Sequence, residues 1–242
     1  MNKTAVAMPP NPIGTGKSLK DQNRWQLWLI LAANSLFLYG ISKSNAIRVD
    51  GLRALFGNAH SLLPVGFALT VTTVLNGVLS VQTKNRLVFL RWNCALPGHR
   101  AFSRYAKADP RIDPSDLAQL CDGPVPIESA DQNRVWYRIY KTVENDPAVR
   151  QVHRDFLLLR DYTGISALFM MCYGIIGFYA IPSSRIGLLY VLILFAQYMV
   201  VRQAACNYGI EFVTTVLARK GGWTKTAASR KRKAKDTPEL LG

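Results

Sequence analysis

The chain has 242 residues and a net charge of +15, from 30 Lys and Arg against 15 Asp and Glu, and 49% of it is hydrophobic. That size admits one or two ordinary domains. Four cysteines (Cys94, Cys121, Cys172 and Cys206) with no CxxC pair are too few for a disulfide framework.

Charge and apolar residues are segregated. Residues 26–42, 62–81, 164–181 and 186–201 hold no Asp, Glu, Lys, Arg or His. A hydrocarbon core ~30 Å thick is crossed by roughly 17–25 helical residues, so three of these blocks are long enough to span it. The fourth borrows Pro182–Ser184, with Arg185 snorkelling to the head groups. The first block is not followed by the small-residue cleavage pattern of a signal peptide.

Residues 1–18 contain three prolines and read as a disordered tail. Ser18 and Asp21 have capping-box spacing, which predicts a helix over residues 19–42. Trp25 and Trp28 fall at one membrane interface and Tyr39 near the other. Val49, Leu52 and Phe56, beside Arg48 and Arg53, predict a short helix lying on the outer interface. Ser61 caps the second spanning helix, with Pro64 in its first turn. Residues 84–92 set Leu87, Val88, Phe89 and Leu90 between Lys84, Arg86 and Arg91, which continues that helix as a stalk.

Residues 95–125 change character. Pro97-Gly98, Asp109-Pro110, Asp113-Pro114 and Gly123-Pro124 are turn signals, and Asp113-Pro114-Ser115-Asp116 starts a short helix ending near Cys121. Ser129 and Gln132 form a second capping box. Val135, Trp136, Ile139, Tyr140 and Val143 then make one apolar stripe, opposite Arg134, Arg138 and Lys141.

Asp146-Pro147 is a helix start, with Asp as N-cap and Pro at the first helical position. Two helices of about 34 residues follow, about 147–181 and 186–219, joined by a short turn; each spans the bilayer and projects roughly 20 Å beyond it. Val149, Val152, Phe156 and Leu159 on one face Ala205, Tyr208, Phe212 and Val216 on the other, as in an antiparallel coiled coil. That register pairs Asp161 with Arg202. The chain closes on a basic segment, Lys225, Arg230, Lys231, Arg232, Lys233 and Lys235, read as a disordered arm that contacts anionic lipid or nucleic acid.

Basic residues are retained in the cytoplasm. Thirteen lie in residues 82–163, four before the first block and nine after residue 201, against three and one in the two short links. Both termini and the middle link are therefore expected inside, in a bacterial inner membrane. The expected fold is an all-α integral membrane protein with four transmembrane helices in two antiparallel hairpins, whose long helices extend into a small helical cytoplasmic module. The expected divisions are residues 1–18, 19–93, 94–146, 147–220 and 221–242.

No constellation reads as a catalytic centre. Gly14-Thr15-Gly16-Lys17-Ser18 ends like a P-loop, but Asn11 stands where a glycine is needed and no strand leads in. His153-Arg154-Asp155 has Arg160 where a kinase catalytic loop carries asparagine. Cys94, His99, Cys121 and His153 lack the close pairing of structural zinc ligands. No cofactor and no metal are expected. Asn34, Thr70, Thr73 and Asn76, with Thr72, are expected to pack spans one and two through interhelical hydrogen bonds. Trp92, Trp136, Tyr137 and Tyr140 form either a partner face or the module's own core.

In layout, a small module held between two transmembrane hairpins is similar to membrane effectors of bacterial anti-phage systems. The expected function is a non-enzymatic effector or adaptor coupling a cytoplasmic protein or nucleoprotein partner to the membrane, as a homo-oligomer in contact with lipid. No small-molecule substrate is indicated. The alternatives are an oligomeric channel or small-solute transporter, a membrane anchor acting through the basic tail, and an enzyme using Cys94 and His153.

Overall fold

The computed structural model describes residues 18–51, 63–181 and 183–235, and among these it is all-helical. Helices α1 (Leu19–Gln22) and α2 (Arg24–Ser42) follow each other across Asn23. A break at Lys43 leads into α3 (Ser44–Asp50). The remainder of the expected interfacial helix, with Leu52 and Phe56, and the cap at Ser61 lie outside the described residues, as do residues 1–17.

Helix α4 (Leu63–Val78) ends sooner than the sequence predicts. Instead of continuing as a stalk, the backbone turns at Leu79-Ser80. Ser80, extended at ψ 154°, caps a new helix α5 (Val81–Phe89), accepting from the Thr83 amide at 3.1 Å. A serine side chain that satisfies an otherwise unpaired first-turn amide favours a helix start over continuation. The break re-aims α5, so that Lys84, Asn85, Val88 and Phe89 are buried rather than projecting into solvent. It ends at Leu90, in the left-handed region at φ 49°.

A compact module follows. A 3₁₀ turn (Pro97–Arg100) and a π turn (Ala101–Tyr105) lead into α6 (Ala106–Ala108). Asp113 caps the turn before α7 (Leu117–Leu120) as expected, accepting from the Ser115 amide at 3.0 Å. Helix α8 (Ser129–Val143) buries Trp136, Ile139 and Val143 of its predicted stripe. The expected capping box of Ser129 and Gln132 does not form: Glu128 precedes the helix without a side-chain cap, and the buried Gln132 Oε1 instead accepts from the Phe102 and Ser103 amides at 3.2 and 3.1 Å, holding the π turn against α8.

Helix α9 (Pro147–Leu168) starts where Asp146 accepts from the Ala148 amide at 2.8 Å. It runs through a π stretch (Phe169–Tyr173) into α10 (Gly174–Ala180) with no loop between them, so the predicted long helix is present. After a turn comes α11 (Ser184–Lys235), 52 residues long. The sequence reading ends this helix near Arg219; the backbone stays helical past Gly221-Gly222, through the segment expected to be a disordered arm.

Two cores stand among the described residues. The larger joins α5, the module, α9 and α11 through Val88, Phe102, Trp136, Val149, Phe212 and Leu217, among others. The smaller joins α2, α9–α10 and the first half of α11 through Leu31, Ile165, Phe169, Tyr173, Tyr190 and Leu194. Among the described residues three helices are long and apolar enough to cross a membrane: Arg24–Ser42, Pro147–Tyr179 and Ser184–Gly222. In the second apolar block, residues 62–81, Leu69–Val78 is a shorter apolar helix.

Seven of the eight residues in the predicted seam between α9 and α11 are buried or packed against the core, but Tyr208 is exposed. Its neighbour Gly209 occupies the contact instead. A Cβ there would come within 2.8 Å of Phe89 and 2.9 Å of Phe156, so the missing side chain lets α5, α9 and α11 approach together. The seam is set by three helices, and a two-helix heptad does not anticipate the third.

Candidate functional site

The three buried charged side chains among the described residues stand together at the junction of the two cores. Lys84 on α5 lies 3.4 Å from Asp161 Oδ1, and Arg160 on α9 donates to the same oxygen from Nη2 at 3.0 Å and from Nε at 3.2 Å. Side-chain exposure is 6% for Lys84, 9% for Arg160 and 3% for Asp161.

This arrangement corrects the expected Asp161–Arg202 pair. Arg202 instead donates to the Val88 carbonyl at 3.2 Å, and the Tyr198 hydroxyl donates to the Leu87 carbonyl at 3.0 Å. Both carbonyls close the last turn of α5, where helical acceptors lack partners and cations are favoured. The wedged α5 therefore supplies a cation to α9 and acceptors to α11, and keeps Asp161 and Arg202 from meeting.

Beside the triad opens a cavity of about 420 Å³. Arg24 and Asp21 stand at its exposed side, Asn76 and Lys84 on another wall, and Leu31 and Ile165 on the apolar side. One wall is fixed where Asn23, buried between α1 and α2, donates from Nδ2 to the Arg154 carbonyl at 2.8 Å. The Asn76 Oδ1 is buried without a hydrogen-bond partner.

Arg160 and Val81 also border a second cavity of about 330 Å³, walled by Trp136, Tyr140, Phe156 and Phe212. His153 belongs to this aromatic group, stacked on Phe212 at 4.5 Å between ring centres, with Nδ1 3.3 Å from the Tyr140 hydroxyl. Burial holds its imidazole well below the usual histidine range, at about 4, helped by the nearby Arg160 and Lys141 cations.

The other predicted residues disperse. Asn34 donates to the Ile30 carbonyl, Thr70 to Gly66 and Thr73 to Leu69, each within its own helix, so these three do not form the expected interhelical bonds. Short polar side chains on an apolar helix reach their own i−4 carbonyl before a neighbour. The hydrogen bond between α2 and the π stretch joins Ser35 to Tyr173, 2.8 Å apart.

Cys94 is exposed and Cys121 buried, and burial pushes the Cys121 thiol up. The ring Nδ1 of His99 donates to the Ser129 carbonyl at 3.0 Å. Among the described residues no three His, Cys, Asp or Glu side chains converge on a metal position. His153-Arg154-Asp155 lies within α9 rather than in a loop. Of the four aromatics, Trp136 is core, donating from Nε1 to the Val213 carbonyl at 3.3 Å, whereas Trp92 and Tyr137 are exposed. Gly14–Lys17 lie outside the described residues.

Sequence reasoning missed Lys84, Arg160 and Arg24 as a group. A signal was present: Arg24, Lys84 and Arg160-Asp161 each stand at the edge of an apolar block, so helices aligned in one layer bring them to one level. Comparison with protein-family models, curated proteins and solved structures finds no match for this chain.

Proposed function

We propose that this chain is a non-enzymatic membrane effector or adaptor, with four spans in two hairpins, both termini cytoplasmic and a cytoplasmic module that drives its membrane helices. One observation carries the reading. The module has no core separate from the spanning helices: Trp136 and Val143 of α8 pack in the same cluster as Val149 of α9 and Val213 of α11. Close-packed interiors transmit displacement instead of absorbing it, so a partner that shifts α8 shifts α9 and α11. The helices α9–α10 and α11 continue without a loop into their apolar halves.

Basic residues at the ends of the apolar blocks support an inner-membrane orientation with the module inside. In this reading the output is loss of membrane integrity or assembly of copies within the bilayer, as in a defence effector.

The test is expression in bacteria with a potential-sensitive dye, comparing the full chain with Trp136→Ala, which loosens α8 from α11 and leaves the apolar halves intact. Depolarisation by the full chain and its loss in the variant is the expected result. Unchanged potential with the full chain, or equal depolarisation by both, overturns coupling through the module. An oligomeric channel, the second reading, is favoured by the unpartnered Asn76 oxygen and predicts conductance in protein-only liposomes.

A further inference from the structure

We infer that the cavity beside Lys84, Arg160 and Asp161 binds a phosphate group, that of an anionic lipid head group or of a soluble phosphate ester. The buried charges among the described residues are two cations and one carboxylate. Lys84 and Arg160 both approach Oδ1 of Asp161, and the bonds from Arg160 use Nε and Nη2, leaving Nη1 outside the pair. Both cations border the cavity while sharing one carboxylate, and an anion entering there gains charge-assisted contacts in a poorly solvated site. The cavity of about 420 Å³ adjoins these two cations and is also lined by Arg24.

A guanidinium presents a planar fork suited to phosphate oxygens, and a lysine adds a point charge. The Asn76 amide, its Oδ1 buried and unpartnered, offers an acceptor for a hydroxyl on the same ligand. The carboxylate of Asp21 also lines the cavity, but it is exposed and screened by water. Leu27, Trp28 and Leu31 continue the wall along α2, where an acyl chain would lie. Basic pockets between membrane helices at the cytoplasmic level are suited to anionic head groups. The site deepens the reading above, because its lipid form takes α2 and α9 to stand in a bilayer.

The experiment uses the full chain in a neutral detergent. Melting temperature and native mass spectra are recorded with dihexanoyl phosphatidylglycerol, with dihexanoyl phosphatidylcholine, and with glycerol phosphate and inorganic phosphate against chloride at equal ionic strength. Tenfold or greater preference for phosphatidylglycerol over phosphatidylcholine, with no effect of the soluble phosphates, assigns a lipid site. Saturable stabilisation by glycerol phosphate or inorganic phosphate assigns a soluble ligand.

Arg24→Gln, at an exposed position, weakens binding about fivefold with the ligand-free melting temperature unchanged. Asn76→Leu, which replaces the acceptor with an apolar side chain, weakens binding of the hydroxyl-bearing ligands. Lys84→Gln removes a buried cation and is informative where it folds; Arg24→Gln keeps the test open where it does not. Equal affinity for both lipids with no response to phosphate, or wild-type affinity in both Arg24→Gln and Asn76→Leu, overturns the site. A chain that stays in solution without detergent removes the membrane reading while leaving the soluble-phosphate result to stand.

Discussion

The two cores solve different problems. Around the smaller one, large apolar side chains face outward: Phe67, Val78, Phe178 and Leu188 are exposed at 71%, 73%, 65% and 60%. Around the larger one, the outward faces of α8 and α9 carry Arg134, Lys141, Arg150 and Asp155, while Val149, Val213, Val216 and Leu217 are fully enclosed. A helix pair that is apolar inside and out has no hydrophobic reason to associate and holds together by close fit and a few polar bonds. Here these are the Ser35–Tyr173 bond and the approach at Gly177, where a Cβ would lie 2.7 Å from Tyr190. The module half has a water-excluding core, so its stability comes from burial. The charged triad marks the boundary between the two regimes.

The strongest way to break this division is at that boundary. Asp161→Asn leaves Lys84 and Arg160 buried without their carboxylate, and removal of one partner of a buried pair costs about 3–5 kcal/mol. The expected outcome is a large fall in melting temperature in detergent or failure to accumulate in the membrane fraction. The division is sharpened next by a pair of truncations. Phe212→Ala in the larger core costs about 3–5 kcal/mol, whereas Phe178→Ala on the outer apolar face changes the detergent melt by less than about 0.5 kcal/mol. Equal losses from both would place the two halves in the same solvent.

Gly209→Leu pushes against Phe89 and Phe156 and is expected to cost about 1–3 kcal/mol by overpacking. The readout is the same melt, supported by faster proteolysis of residues 97–128 as the module loosens.

A smaller effect is expected from pH. His153 stays neutral when folded because its burial lowers its proton affinity to about 4, whereas the unfolded chain takes up a proton near 6.5. The unfolded state therefore binds more protons in that interval. The contribution to stability is full above pH 6.5 and is lost as pH falls through 4. His153→Phe should flatten the melting temperature between pH 4 and 7. The smallest effect is chemical: exposed Cys94 reacts readily with a maleimide in detergent, while buried Cys121, its thiol held protonated, reacts slowly. In intact cells an impermeant maleimide leaves Cys94 unmodified if the module lies inside.

Much of the local structure is legible from short-range chemistry. Asp146-Pro147 and Asp113-Pro114 start helices where their side chains satisfy the first amides, and the α8 stripe turns its apolar residues into the core. The apolar blocks announce helices able to cross a membrane because the length of an uncharged run is a property of the chain alone. The break at Ser80 was harder to read, since neither proline nor a double glycine marks it. The serine cap prevails there over helix continuation, and the consequence is tertiary: α5 turns inward.

The sequence by itself determined that this protein is built of helices, where most of them begin, and that its apolar and basic stretches are kept apart. Only the tertiary structure decided which charges meet. Asp161 takes Lys84 and Arg160 rather than Arg202, and Gly209 replaces Tyr208 in the seam. The physical reason is that caps and apolar runs are set by neighbours a few residues away, whereas a buried charge is placed by every helix that packs around it. Here that set includes α5, whose direction depends on a turn at Leu79-Ser80.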